Sequence, residues 1–136
     1  MIPTEVFLSH SSRDRKLAAK IAAVVRTHGI PVWYSATNIV GAQQWHDEIG
    51  AALKRCDWFI IILSPNSVKS KWVKRELLFA LNDDRFKDRI VPILCKTCDL
   101  DQLSWTLSNF QLVDFTRGEE KGYRALMRVW GIGFKK

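Results

Sequence analysis

The sequence is poor in the features that would put it in a membrane, in a secretory compartment or on a metal. No apolar run approaches the ~20 uninterrupted residues of a bilayer span. The opening "MIPTEVFLSH" lacks the charged, then apolar, then small order of a secretory signal. A cytoplasmic location away from membranes is the expectation. Three cysteines cannot all pair internally, and an odd count without a signal fits reduced thiols. Cys95 and Cys98 form a C-x-x-C, but a closed zinc site needs further ligands, and Cys56, His10, His28 and His46 do not stand at finger-like spacing. No metal site is expected. The C-x-x-C follows a late strand rather than opening a helix beside an early one, which argues against a thioredoxin-type motif. Two phosphate-binding signatures are missing as well. The turn "SHSSRDR" has none of the glycines of G-x-G-x-x-G, and G-x-x-x-x-G-K-[ST] occurs nowhere. A dinucleotide oxidoreductase and a P-loop are thereby excluded.

What is present is ordinary globular composition, 47% apolar and 26% charged, in 136 residues, which suits one domain with a single core. The net charge of +7, from 21 Lys and Arg against 14 Asp and Glu, favours anionic partners in general. The basic residues are spread along the chain without a dense run, so they read as a solvated surface and argue against direct nucleic-acid binding.

The chain alternates strand and helix signals. "EVFLS", residues 5–9, ends in the polar cluster "HSSRD" and reads as a buried strand. From Arg13 to His28, Leu17, Ile21, Val24 and Val25 recur at helical spacing, and Gly29 stops the helix. "IPVWY", 30–34, gives a second strand, entered through Pro31. A polar loop, "SATNIVGAQQ", leads to a helix from about Trp45 to Lys54. "DWFIIILS", 57–64, is almost wholly apolar, as a strand covered on both faces must be. A helix follows over "SKWVKRELLFAL", then strands at 89–95 and 110–115 and a helix from Glu119 to Trp130. Alternation of this kind requires crossover connections, so the expected fold is α/β and flavodoxin-like: a five-stranded parallel sheet with helices on both faces. Such sheets hold their sites outside the carboxyl ends of the strands.

The strand ends narrow the chemistry. A phosphate-accepting receiver needs carboxylates after strand one and a phosphorylatable Asp after strand three, where Ser9-His10 and Ser64-Pro65 stand instead. The serine turn can cap the helix through Ser11 or Ser12, or hold a phosphate at the helix N-terminus. In the third helix, Trp72 and Glu76 are four residues apart and share a side. Val73, Leu77, Ala80 and Leu81 form the stripe for the sheet, which puts Glu76 at its border. A carboxylate there is either a solvated helix residue near Lys74 and Arg75 or a functional one.

These residues resemble the TIR (Toll/interleukin-1 receptor/resistance) domain family in its bacterial form. The resemblance covers "VFLSHSSRD", "GIPVWYSATNIVGAQQWHDEIGAAL", "CDWFIIILSPNSVKSKWVKREL" and "FQLVDFT", nearly the whole chain. It implies that Glu76, in S-x-W-x-x-x-E, is the catalytic glutamate of members that cleave NAD⁺ at the nicotinamide–ribose bond, as glycohydrolase or cyclase. It further implies Trp72 beside the ribose, and His10 and Ser11 at the mouth. Trp33, Tyr34 and Ser35 would approach from strand two, with Trp45 and the Gly41 loop closing the pocket or meeting a neighbouring subunit. Trp33 and Trp45 serve equally as core packing. Where many relatives carry acidic residues after strand two, this chain has Ser35 and Ala36. The expected setting is anti-phage immunity, with activation by TIR self-association into a homo-oligomer or filament and a fused or separate sensor module. The alternative is a non-catalytic scaffold that signals through TIR–TIR contacts, with the "SATNIVGAQQ" loop as its docking surface.

Overall fold

The computed structural model describes residues 2–34 and 42–136, with backbone alone for residues 42–46. In chain order the elements are β1 (Val6–Ser9), α1 (Arg15–Thr27), β2 (Val32–Tyr34), α2 (Ala42–Arg55), β3 (Trp58–Leu63), α3 (Lys71–Leu81), β4 (Ile90–Leu94), β5 (Val113–Asp114) and α4 (Glu119–Val129). All strand pairs are parallel, and the sheet order is β2-β1-β3-β4-β5. This is the flavodoxin-like order, with its switch point between β1 and β3.

Period-two alternation distributes the core. Val6 and Leu8 of β1 join Val32, Ile60, Ile62, Val91 and Ile93 on one face of the sheet. That face is covered by Ala18, Ile21, Ala22 and Val25 of α1 and by Tyr123, Leu126 and Met127 of α4. Phe7, Phe59, Ile61 and Leu63 point the other way, under Ile49, Ala52 and Leu53 of α2 and Val73, Leu77 and Ala80 of α3. β3 lies between both layers, and all six of its residues are buried. Each fully buried aliphatic side chain there contributes roughly 1.5–3 kcal/mol.

Two prolines and a glycine are placed by backbone chemistry. Pro31 precedes β2, and its carbonyl accepts from Val6 N at 2.8 Å. In β4, Arg89 O accepts from Phe59 N and Cys95 N donates to Leu63 O, whereas Leu94 O accepts from Phe115 N. Odd-numbered residues therefore bond toward β3 and even-numbered ones toward β5. Pro92, with no N–H, faces the β5 side just before that strand begins to pair, at Ile93 with Val113. Gly29 ends α1 with φ +84°, a left-handed conformation that costs glycine little.

The boundaries differ from expectation in two places. A 3₁₀ turn over Ser12–Asp14 precedes α1, because Ser11 Oγ accepts from Arg13 N at 3.3 Å and caps that turn first. β5 is shorter than 110–115. Trp105–Asn109 forms a 3₁₀ turn closed by Phe110 N donating to Leu107 O, and pairing starts only at Val113. A short final strand leaves little unpaired edge.

Candidate active site

Ser9 closes β1, two residues after Phe7, so its side chain points into the layer of α2 and α3. There it meets α3. The Ser9 hydroxyl donates to Glu76 Oε1 at 2.6 Å, a fully buried contact between residues 67 apart in sequence. Glu76 is only 7% exposed. It lies within the buried stripe with Val73, Leu77 and Ala80, not on its border as helix spacing suggested. The helix angle alone would leave Glu76 near solvent, and the end of β1 supplies the cover. Burial pushes the Glu76 carboxyl up to about 7, while the Ser9 hydrogen bond pulls in the opposite direction. A carboxyl in that range changes its charge near neutral pH.

α3 is held in position from its N-terminal end. Ser70 Oγ accepts from Val73 N at 3.2 Å, capping the helix. Upstream, Ser64 and Ser67 close a ring: Ser64 N donates to Ser67 Oγ at 2.9 Å, and Ser67 N to Ser64 Oγ at 3.1 Å. Ser64 follows Ile62 by two residues and so faces the opposite layer from Ser9. Its hydroxyl donates to Asp14 Oδ2 at 2.6 Å, and Asn66 Nδ2 donates to Asp14 Oδ1 at 3.2 Å. β1 thus ends in a serine bonded to a carboxylate and β3 is followed by another, one in each helical layer.

The remaining expected site residues occupy different places. His10 Nδ1 donates to Ser11 O at 2.8 Å, and its ring lies 6.0 Å from that of Tyr34. Tyr34 also lies under the Arg26 guanidinium, 5.4 Å from the ring centre. Ser11 is buried and spent on capping. Trp33 stacks on Phe7 at 5.0 Å and packs into the α2–α3 layer. Trp72, one turn before Glu76, is 38% exposed, with Arg75 over its indole at 5.3 Å. Ser35, Ala36 and Gly41 lie outside the described residues, as does the side chain of Trp45. Sequence reasoning missed Ser9, Asp14 and Ser64 as participants. Counting by twos from Phe7 would have found Ser9. For Asp14, 50 residues from Ser64, no sequence signal existed.

Other chemistry finds little support. Burial pushes the Cys95 and Cys56 thiols up to about 12, far from thiolate reactivity at neutral pH. Among the described residues, no group of three His, Cys, Asp or Glu could hold a metal, and no helix is long and apolar enough to cross a membrane.

Comparison with known proteins bears on the family and the fold. The chain is 30% identical over 74 residues, 54% of its length and 26% of the relative's, to the 2' cyclic ADP-D-ribose synthase BtTIR of Bacteroides thetaiotaomicron. It is 25% identical over 91 residues, 66% of its length and 27% of the relative's, to the probable 2' cyclic ADP-D-ribose synthase TcpO of Methanobrevibacter olleyae. It therefore spans about a quarter of the length of these curated relatives. Among solved structures, the TIR domain of the Toll-related receptor TRR-2 from Hydra magnipapillata superposes with a TM-score of 0.73 at 18% identity, over 90% of this chain and 94% of that one. That likeness speaks to fold alone. The TIR domain family model matches residues 6–127, from the first residue of β1 to the last turn of α4. With the parallel 2-1-3-4-5 sheet and the matched span in agreement, the chain belongs to the TIR domain family.

Proposed function

We propose that this protein cleaves NAD⁺ at the nicotinamide–ribose bond, as a glycohydrolase or an ADP-ribosyl cyclase, with Glu76 as the catalytic carboxylate. The observation that carries the reading is the buried Glu76 carboxyl beside the switch point, held by Ser9 at 2.6 Å. Family membership and two relatives named as 2' cyclic ADP-D-ribose synthases support it.

The chemistry follows from charge. As the bond from ribose C1′ to the nicotinamide nitrogen breaks, nicotinamide leaves as a neutral ring with the electron pair. Positive charge develops on the ribose. An ionised Glu76 stabilises that oxocarbenium-like centre and accepts hydrogen bonds from ribose hydroxyls, as carboxylates do in glycoside hydrolysis. Water then adds to C1′ and releases a proton, giving ADP-ribose, or a nucleophile within the ADP-ribose closes a ring. His10 and Ser11 would line the mouth, Trp72 the rim beside Glu76, and Tyr34 and Trp33 the β2 side, together with Ser35 and Trp45. NAD⁺ enters as the substrate, not as a bound cofactor.

In this reading the protein acts in the bacterial cytoplasm in anti-phage immunity, switched on when TIR domains assemble into a homo-oligomer or filament under a fused or separate sensor module. The scaffold alternative draws on one feature, the Trp72, Leu78 and Phe79 side chains that α3 exposes. Nicotinamide release from NAD⁺ by concentrated or crowded protein separates the two. Release that rises with protein concentration and vanishes in Glu76→Ala supports the enzyme. Absence of release, or equal release from Glu76→Ala, overturns it in favour of the scaffold.

A further inference from the structure

We propose that Ser9 is a positioning residue for Glu76: its hydroxyl fixes Oε1 and the plane of the carboxyl, leaving Oε2 as the oxygen that meets the ribose. The inference rests on the NAD⁺-cleaving reading above and assigns a role to a residue outside the expected site.

The geometry is specific. At 2.6 Å the contact has the length of a charge-assisted O–H to carboxylate bond, shorter than a typical neutral pair. Both partners are buried, Ser9 at 1% and Glu76 at 7% exposure, so water does not compete for the hydroxyl. The Ser9 backbone is held in the sheet, where it pairs with Ile61 within the parallel ladder of β1 and β3. A short side chain on the last residue of a central strand holds its hydroxyl far more rigidly than a loop residue would. Glu76, on a long side chain with several rotatable bonds, gains its fixed orientation from that contact.

Ser9 also acts on the proton. Two causes move the Glu76 carboxyl, burial upward and the Ser9 hydrogen bond downward. The charged and titratable groups on the elements around it are His10 after β1, Asp47, Glu48, Lys54 and Arg55 on α2, Lys69 before α3, Lys71, Lys74 and Arg75 on α3, and Asp83, Asp84 and Arg85 beyond its end. None of these contributes to the shift. Among the described residues, Ser9 is thus the polar group that favours the ionised form in which Glu76 can stabilise a ribosyl cation.

The test compares wild type with Ser9→Ala and Ser9→Thr in two measurements. The first follows Glu76 ionisation by carboxyl ¹³C chemical shift against pH, without NAD⁺. The second is steady-state nicotinamide release. Ser9→Ala should move the Glu76 midpoint to higher pH and lower kcat roughly tenfold with KM nearly unchanged. Ser9→Thr, which keeps a hydroxyl, should restore both toward wild type. If Ser9→Ala does not fold, Ser9→Cys, of similar volume but a weak donor, reads the same midpoint. An unmoved midpoint in the folded variant overturns the proposal, as does a loss of kcat that Ser9→Thr fails to rescue. Wild-type protein that releases no nicotinamide defeats the NAD⁺-cleaving reading instead, and the titration still decides whether Ser9 governs Glu76.

Discussion

Ser9 and Glu76, separated by 67 residues, are joined by a 2.6 Å hydrogen bond that connects the last residue of β1 to the buried face of α3. The bond locates a titratable group where open parallel sheets keep their ligands. It also places that group in surroundings that oppose its charge. Several measurable consequences derive from this balance and from the packing around it.

The proposed chemistry needs ionised Glu76, and the carboxyl is raised to about 7. The rate of NAD⁺ cleavage should therefore rise with pH through the neutral region and level off above it. A pH profile of kcat/KM for the free enzyme measures this limb. A flat profile between pH 5 and 8 would count against an ionised Glu76 as the acting group.

Glu76 should cost the fold stability. Folding raises its carboxyl from the ordinary 4.5 to about 7, so between those values the native state holds a proton that the unfolded chain has released. Its contribution is intact below pH 4.5, declines as pH rises across the window, and is constant above pH 7. Glu76→Gln removes the titration. It should gain on wild type by up to about 3 kcal/mol at pH 8 and show little difference at pH 4 in urea melts. Such an exchange of stability for a buried functional group is common at active sites.

Asp14 and Ser64 should be energetically coupled. Ser64 donates to Asp14 at 2.6 Å, and Asn66 donates to the other carboxylate oxygen. Asp14→Ala leaves the buried Ser64 hydroxyl without that acceptor and should destabilise by about 1–3 kcal/mol. Combining it with Ser64→Ala should cost less than the sum of the two single changes, by at least about 0.5 kcal/mol in a double-mutant cycle. Strict additivity would show that the pair does not act as a unit.

Gly122 gives a prediction free of the site. A Cβ at this position would come within 2.5 Å of the Phe115 ring, which is itself buried against Tyr123. Gly122→Ala should lower stability by about 1–3 kcal/mol despite the better helix propensity of alanine. Pairing it with Phe115→Leu should recover part of the loss in thermal melts.

Much of the architecture was legible because its signals are local. The unbroken apolar run of β3 requires cover on both faces, and all six of its residues are buried. Gly29 marks the end of α1 by a conformation that other residues pay to adopt. Alternating elements imply a parallel sheet, and the serine-rich and W-x-x-x-E segments imply the family. Element boundaries shift where local signals compete. Ser11 could cap either a helix or a preceding turn, and "FQLVDF" has strand character whose first half is instead drawn to the core beyond a 3₁₀ turn.

The sequence by itself determined the order of strands and helices, since each depends on spacing along one segment, and its resemblance to the TIR family singled out Glu76 among the carboxylates. Only the tertiary structure decided that this carboxylate is buried and hydrogen-bonded. Helix periodicity located Glu76 to within one residue width of the buried stripe, a margin at which solvated and buried carboxyls cannot be told apart. The β1 end closed that margin by covering the side chain and offering it the Ser9 hydroxyl. Desolvation depends on every neighbour in space, so a shift to about 7 arises from the packing of distant segments and has no counterpart in any one stretch of sequence.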